Sequence, residues 1–550
     1  MVETIIENDI RQAIALLQKD GAWPEFDIET IRIEIPEESS HGDFSSNVAM
    51  QLSGVLKMSP LEIANELKER LGQEYRQVQI VHPGFMNFFV TGTQLAGSVQ
   101  EIIDAGGSYG SSDAGSGKKI IIEYISANPT GPLTLPNGRG GYLGDVLSNI
   151  HEQLGYAVTR EYYINDRGNQ IDVLGESVAR RFLQKAGINV PYSDELYQGD
   201  YIGELADKLD LRDYKLTDLK KVQWVKDRIK DKALKLMLAN IQKVVEKKMR
   251  IHYDSWFSEK ELYKSGLVDI AVDDIQRKGY AYEKDGATWL KTTSFGDDKD
   301  RVLIKSSGEG AYIQGDVALF YERAFIRKVD KVVLVVGADH HGYEKRLKAL
   351  PQLFESDTEF DIIFTQMATL LKDGKEVRMS KRTGTFVTIE ELIDEVGNDA
   401  ARFFFLMYSS DRAMNFDLNL AMEQSDKNPV YYVQYAHARI CRIIEEVKKL
   451  GGPEDGAPLT LEIEHEAENA LAKTLGRLPK LLENTAESYE VHHLPTYAMD
   501  VARAFHHFYG QCRVIDEGVV NPSRFELIQA AQIVLQKTLS LLGVSAPEKM

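Results

Sequence analysis

Three short segments carry residue types suited to chemistry. The first is Ser126-Ala127-Asn128-Pro129-Thr130-Gly131-Pro132-Leu133-Thr134-Leu135-Pro136-Asn137-Gly138-Arg139-Gly140, lying between an apolar run and an amphipathic one. A loop joining a strand to a helix N-terminus presents free backbone N–H groups and the positive end of the helix dipole, which suits phosphate. A turn of the same composition also serves where only tight packing is needed. The second segment is Arg378-Met379-Ser380-Lys381-Arg382-Thr383-Gly384, just after Lys372-Asp373-Gly374-Lys375. A small, basic loop of this kind closes over polyphosphate and adds charge-assisted bonds as a leaving group gains negative charge. A basic surface loop with no such role looks the same in sequence. The third is Gly337-Ala338-Asp339-His340-His341-Gly342. Neighbours on a strand point to opposite faces, so this acid and these imidazoles are not expected to converge on a metal. An Asp at the carboxyl end of a parallel strand is better placed to accept a ribose hydroxyl.

These segments need elements to hold them. Lys119 to Tyr124 reads as a short buried strand, followed by a loop from Ala127 to Gly141, a helix from about Tyr142 to Leu154 and a strand from Val158 to Tyr163. Strand, glycine-bearing loop, helix and strand make a βαβ unit. A second continuous apolar strand, Lys331 to Val336, runs into the Asp339 segment. Upstream, Ile5 to Gln18 reads as a helix, Thr30 to Ile35 alternates as a strand, and Pro60 to Leu71 is a helix capped by Ser59 with Pro at its first position. Gln77 to Val90 is strand-like around Pro83-Gly84, and Gly106 to Gly117 has the composition of a linker. Beyond about residue 410 the pattern is almost wholly helical. The expected architecture is an α/β core between an α+β N-terminal domain and an all-helical C-terminal domain.

Composition excludes several classes. The 550 residues carry a net charge of −19, with 43% hydrophobic and 27% charged residues, a globular profile long enough for several cores. Apolar runs such as Val332 to Val336 are far too short to span a membrane. Met1-Val2-Glu3-Thr4 is acidic and no secretory signal is expected. Cys441 and Cys512 are too few for a disulfide framework or a cysteine-rich zinc site, and a reducing cytoplasm is the expected location. An acidic chain is a poor general coat for nucleic acid, yet a local basic face decides that question. From Lys220 to Arg250 eleven Lys/Arg stand against three Asp/Glu, with Val222, Val225, Ile229, Ala233 and Leu236 at helical spacing. That pattern is an amphipathic helix with a basic outer face, either simply solvated or presented to a polyanion.

The first and second segments resemble the two signature sequences of class I aminoacyl-tRNA synthetases, and the chain is similar to arginyl-tRNA synthetases over nearly its whole length. The resemblance is carried by His41-Gly42-Asp43-Phe44, Asn47-Val48-Ala49-Met50, Pro83-Gly84-Phe85-Met86-Asn87-Phe88, Arg160-Glu161-Tyr162-Tyr163-Ile164-Asn165-Asp166, Gly168-Asn169-Gln170 and Phe295-Gly296-Asp297-Asp298-Lys299-Asp300-Arg301. It continues through Asn428-Pro429-Val430-Tyr431-Tyr432-Val433-Gln434-Tyr435-Ala436-His437-Ala438-Arg439 and the terminal Leu542 to Met550. It implies a tRNA-contacting α+β domain at 1–112, a Rossmann-type parallel-sheet catalytic domain at 113–410 with an insertion at about 180–265, and an anticodon-binding helical domain at 411–550. The implied reaction joins L-arginine to tRNA(Arg) through an arginyl-adenylate, using ATP with Mg2+ and releasing AMP and pyrophosphate. A monomer, with no membrane partner, is expected.

The resemblance also places residues. Glu123, Asn128, Tyr312, Asp316 and His340 fall where the family binds arginine; Tyr312 and Asp316 stand four apart and so share a helix face. A carboxylate matches the planar fork of a guanidinium. Gly138, Gly337, Asp339, Met379, Ser380 and Lys381 fall at the ATP positions, with Lys381 assigned to the pyrophosphate. Tyr431, Tyr435, His437 and Arg439 are the candidates for reading unstacked bases. The first signature departs from its family. Two histidines and a glycine are usual, whereas this tetrad is Thr134-Leu135-Pro136-Asn137. Thr134 and Asn137 still donate hydrogen bonds but carry no positive charge, and each transition-state donor lost costs about 2.7–4 kcal/mol. The rival reading is a non-catalytic paralogue that binds tRNA or arginine.

Overall fold

The computed structural model describes residues 2–28, 30–36, 41–72, 75–209, 221–377, 387–452 and 461–550. Its centre is a parallel sheet of five strands: β1 (Lys119–Glu123), β2 (Ala157–Ile164), β3 (Ser255–Ser258), β4 (Lys331–Gly337) and β5 (Glu359–Thr365). The spatial order is β5-β4-β1-β2-β3. All four pairings are parallel. The chain therefore builds outward from β1 to β3 and then returns to β4 on the other flank of β1. That reversal leaves a crevice outside the carboxyl ends of β1 and β4, where ligands of open α/β sheets bind. Ile120, Ile121, Ile122, Val332 and Val333 are almost wholly buried, as continuous apolar strands covered on both faces must be.

The helix after β1 is α1 (Leu135–Gln153). It begins seven residues before the expected Tyr142, so the tetrad and its glycines form the opening turns of a helix instead of a loop. The Thr134 N–H and hydroxyl both donate to Asn137 Oδ1 at 2.9 Å, and Pro136 stands in the first turn, where a missing N–H costs little. Proline and glycine masked that start. Two further helices, α2 (Asn169–Lys185) and α3 (Val222–Lys243), pack together in the segment between β2 and β3. Before β4 comes α4 (Tyr312–Tyr321); after β5 come α5 (Ile389–Val396) and α6 (Asn398–Leu406).

At the N-terminus four antiparallel strands pair in the order Ile33–Glu34, Phe44–Ser46, Phe85–Phe89, Gln77–Val81. The expected strand from Thr30 to Ile35 shrinks to Ile33–Glu34, which pairs with only two residues. Helix Val2–Lys19 buries Ile6, Ile10, Ile14 and Leu17, and Pro60–Arg70 starts in a Ser59/Glu62 capping box. The C-terminal part is led by α7 (Pro429–Lys449), α8 (His493–Gln511) and α9 (Pro522–Leu542). A short strand beyond residue 410, Met414–Asp417, pairs in parallel with Ala368–Leu371. One apolar core runs without a break from the N-terminal helix through the parallel sheet into α7, α8 and α9.

Candidate active site

The carboxyl end of β1 leads into strained backbone. Ile125 and Ser126 adopt φ of 63° and 37°, a region that costs non-glycine residues energy and clusters at functional sites. Ser126 Oγ accepts from the Tyr163 N–H at 2.9 Å, which holds this turn against β2. Asn128 is exposed on it. Beyond, Thr134 caps α1 and bridges Thr388, and the Ile389 N–H donates to Leu133 O at 3.0 Å. A side chain on Gly138 would overlap Ile389, so glycine is needed for that close approach. The stretch just downstream of the second signature is thus stitched to the first. Met379, Ser380 and Lys381 lie outside the described residues. Their flanks are anchored: the Val377 N–H donates to Leu370 O at 2.8 Å, and Thr388 caps α5.

Gly337 and Asp339 stand at the end of β4, and a short 3-10 turn, Ala338–Tyr343, follows. Asp339 and His340 are both open to solvent, with 3.7 Å between Oδ2 and Nε2. His341 is instead stacked on Phe364 of β5 at 3.8 Å between ring centres. Asp339 thus stands just past the end of β4 with its carboxylate open to solvent.

The acids expected to receive a guanidinium divide into two groups. Glu123 is buried and paired with Arg323, itself fully buried. Arg323 also donates to Glu161 at 2.6 and 2.9 Å, and Arg327 to the other Glu161 oxygen at 2.5 Å. Despite burial, these two guanidiniums hold Glu161 down to about 2. Glu123 therefore faces a resident guanidinium inside the sheet end. Asp316 is different. Its cation, Arg346, donates to Oδ2 at 3.4 Å, yet burial together with the Glu123 charge raises it to about 6. Glu259, a residue the sequence reading passed over, is raised to about 7 by burial and by Asp166 and Asp316, against Arg167. A Cβ built on Gly315, one residue before Asp316, would lie 3.5 Å from Glu259 Oε1, 3.8 Å from the Tyr263 hydroxyl and 3.9 Å from that of Tyr163. Asp316, Glu259, Tyr163 and Tyr263 thus gather on the Gly315 side of α4. Tyr312, at the first turn of α4, is 94% exposed and stands apart from this group. No sequence pattern marks Glu259, because only the tertiary fold brings it to α4.

In the helical part, Tyr431 and Tyr435 lie parallel with ring centres 6.4 Å apart, and His506 stacks on Tyr435 at 6.1 Å. Arg439 lies over Tyr509 at 4.4 Å. His437 is buried, its Nδ1 2.9 Å from Pro547 O, so its ring belongs to the core. His506 was not singled out in sequence, since a helix-face histidine carries no motif.

A parallel sheet with its switch point at β1 and β4, entered by a capped helix bearing the first signature, is the catalytic architecture of class I aminoacyl-tRNA synthetases. Comparison with known proteins agrees. The family description "tRNA synthetases class I (R), catalytic domain" matches residues 98–437, "Arginyl tRNA synthetase N terminal domain" matches 4–90, and "DALR anticodon binding domain" matches 433–550. The chain belongs to the arginyl-tRNA synthetase family. It is similar to the arginine–tRNA ligase of Shouchella clausii (strain KSM-K16), 40% identical over 552 residues and 98% of each chain. To that of Bacillus subtilis (strain 168) it is 40% identical over 562 residues, covering 100% of this chain and 99% of the relative. A solved structure of a putative arginyl-tRNA synthetase from Campylobacter jejuni has a TM-score of 0.73 at 30% identity, over 84% of this chain and all of that one. The Thermus thermophilus arginyl-tRNA synthetase shares the fold, at a TM-score of 0.78 and 21% identity over both full lengths.

Proposed function

We propose that the protein ligates L-arginine to tRNA(Arg) in two steps at the β1/β4 crevice. The observation that carries this reading is the pair Asp316 and Glu259, two carboxylates gathered beside Gly315 and raised toward neutral pH although Arg346 and Arg167 lie near them. Such a pair favours a bound cation, and a guanidinium offers each acid a planar donor edge. Glu123 and the Arg323–Glu161–Arg327 network hold the floor of this recess. Tyr312, Asn128 and His340, all open to solvent, are the remaining arginine contacts in this reading.

In the first step the arginine carboxylate attacks the α-phosphate of ATP, and pyrophosphate leaves. ATP enters as its magnesium complex, the ion held largely by phosphate oxygens and water. The α1 N-terminus, Thr134 and the Asn137 amide face the phosphates. Gly138 and Gly337 allow close packing there, Asp339 takes the ribose, and Met379-Ser380-Lys381 neutralises the leaving group. Catalysis is positioning and charge stabilisation. In the second step the 2′-hydroxyl of the terminal adenosine takes the arginyl group. The units at 1–112, 113–410 and 411–550 divide the work among tRNA body, chemistry and anticodon. Tyr431, Tyr435 and Arg439 form the stacking face for bases; His437 positions α7 from within. Action as a monomer in the cytoplasm completes the reading.

The test is arginine-dependent ATP–pyrophosphate exchange, with and without tRNA(Arg). Exchange that needs tRNA, and a rise of at least a hundredfold in the KM for arginine on Asp316→Asn, are the expected results. Absence of exchange under both conditions, with tRNA binding intact, would instead establish the non-catalytic paralogue.

A further inference from the structure

Helix α3 carries cations that nothing above uses. Those toward the protein are spent on anchoring it: Lys230 binds Asp172 at 2.8 Å, Lys226 lies 4.0 Å from Glu176, Lys248 binds Asp394 of α5, and Arg250 binds Asp399 of α6 at 3.1 Å. Four others differ. Lys232, Lys235, Lys243 and Lys247 are exposed, and among the described residues none has a carboxylate partner. At 100° per residue Lys232, Lys235 and Lys243 fall within about a quarter of the α3 circumference, away from the buried Ala233, Met237 and Ile241, and Lys247 follows in the π-helical turn Val244–Lys248 that continues α3. Glu246 is the one acid between them. On a chain of net charge −19, such a stripe is an isolated positive field.

We propose that this stripe docks the sugar–phosphate backbone of the tRNA; the proposal rests on the ligase reading and adds a contact surface to it. From Lys232 to Lys247 the helix advances about 22 Å. Backbone phosphates lie only a few ångströms apart along a nucleic-acid strand, so a tRNA segment laid along that length brings several within reach of the four ammonium groups. Position supports the same partner. Asp399, which holds Arg250, also accepts from Gln434 of α7 at 3.0 Å. The foot of the stripe therefore sits where the catalytic part meets the helix that bears Tyr431 and Tyr435, and one polyanion can follow both surfaces.

The test is the quadruple variant K232Q/K235Q/K243Q/K247Q, with the four-arginine counterpart as control; glutamine and arginine are both good helix formers. Binding of tRNA(Arg) is measured across a salt series, alongside KM and kcat for charging. The expected result is about a tenfold weaker Kd, a log–log salt slope shallower by about 3, a raised KM for tRNA and an unchanged kcat at saturation. The arginine variant should match wild type. An unchanged Kd and slope in the glutamine variant, with the wild type charging tRNA normally, would overturn the proposal, as would equal loss in the arginine variant. A wild type that binds tRNA with the steep slope but never charges it strikes the ligase reading alone.

Discussion

Asp316 and Glu259 pull stability and function in opposite directions. Both carboxyls lie above their unfolded values, at about 6 and about 7, because burial disfavours ionisation, with the charge of Glu123 adding to it at Asp316 and those of Asp166 and Asp316 at Glu259. A raised carboxyl contributes stability at low pH and loses it as pH climbs through the folded-state value. Binding a guanidinium needs the ionised forms, which exist only above that range. The kcat/KM for arginine should therefore fall about twentyfold between pH 8 and pH 6, as expected for two such coupled groups. Glu259→Gln should flatten the upper part of that fall, raise the KM for arginine, and lift the melting temperature at pH 8 but not at pH 5. A pH–rate profile beside thermal melts at the two pH values checks all three. Asp316 stood out in sequence through its place in a motif. Glu259 did not, because its role comes from facing Gly315 across the fold, and Glu123 faces inward because Arg323, two hundred residues away, reaches it first.

The signature helix does two jobs with one residue. Asn137 Oδ1 accepts from both the backbone N–H and the hydroxyl of Thr134, closing the first turn of α1. On the proposed reading its amide N–H groups serve the phosphates. The two roles separate by substitution. Asn137→Ala removes both, costing about 0.5–2 kcal/mol of stability together with ATP activation. Asn137→Asp keeps the acceptor and places a negative charge at the positive end of the helix, which favours folding. It nevertheless loses the donor and repels phosphate. The expected outcome is a urea midpoint at or above wild type for Asn137→Asp, with pyrophosphate exchange at least a hundredfold lower. Equal activity in the aspartate variant would show that the amide does not touch ATP. Three of the five sheet strands were readable in sequence, and β1, β2 and β4 lie within a residue or so of their expected bounds, whereas β3 and β5 were not singled out. The start of α1 was not, because Pro136 and Gly138 read as breakers while the cap that licenses them depends on side-chain geometry.

Across the whole molecule, a single guanidinium ties the functional parts together. Arg402 of α6 is wholly buried. It pairs with Asp145 of α1, donates to Leu542 O at the end of α9, and reaches Met249 O, just beyond α3, at 3.4 Å. The helix that opens at the tetrad, the basic helix and the last helix of the chain thus meet on one side chain. Sequence patterns marked each of those helices, but no pattern of composition or spacing joins residues 145, 249, 402 and 542. Gly543 seals the junction. It ends α9 at φ +66, and a Cβ there would overlap the Arg402 guanidinium. Gly518 offers the control, since its φ is +81 but a Cβ there meets nothing within 4 Å. Gly518→Ala should cost only the left-handed strain, about 1–2 kcal/mol. Gly543→Ala should add the loss of a buried ion pair, worth about 3–5 kcal/mol when one partner is displaced, and should raise the KM for ATP because α1 loses the anchor at its middle. Urea unfolding of the two variants decides the matter: equal costs would mean that Arg402 yields without leaving its partners, and that α1 is held by its apolar face alone.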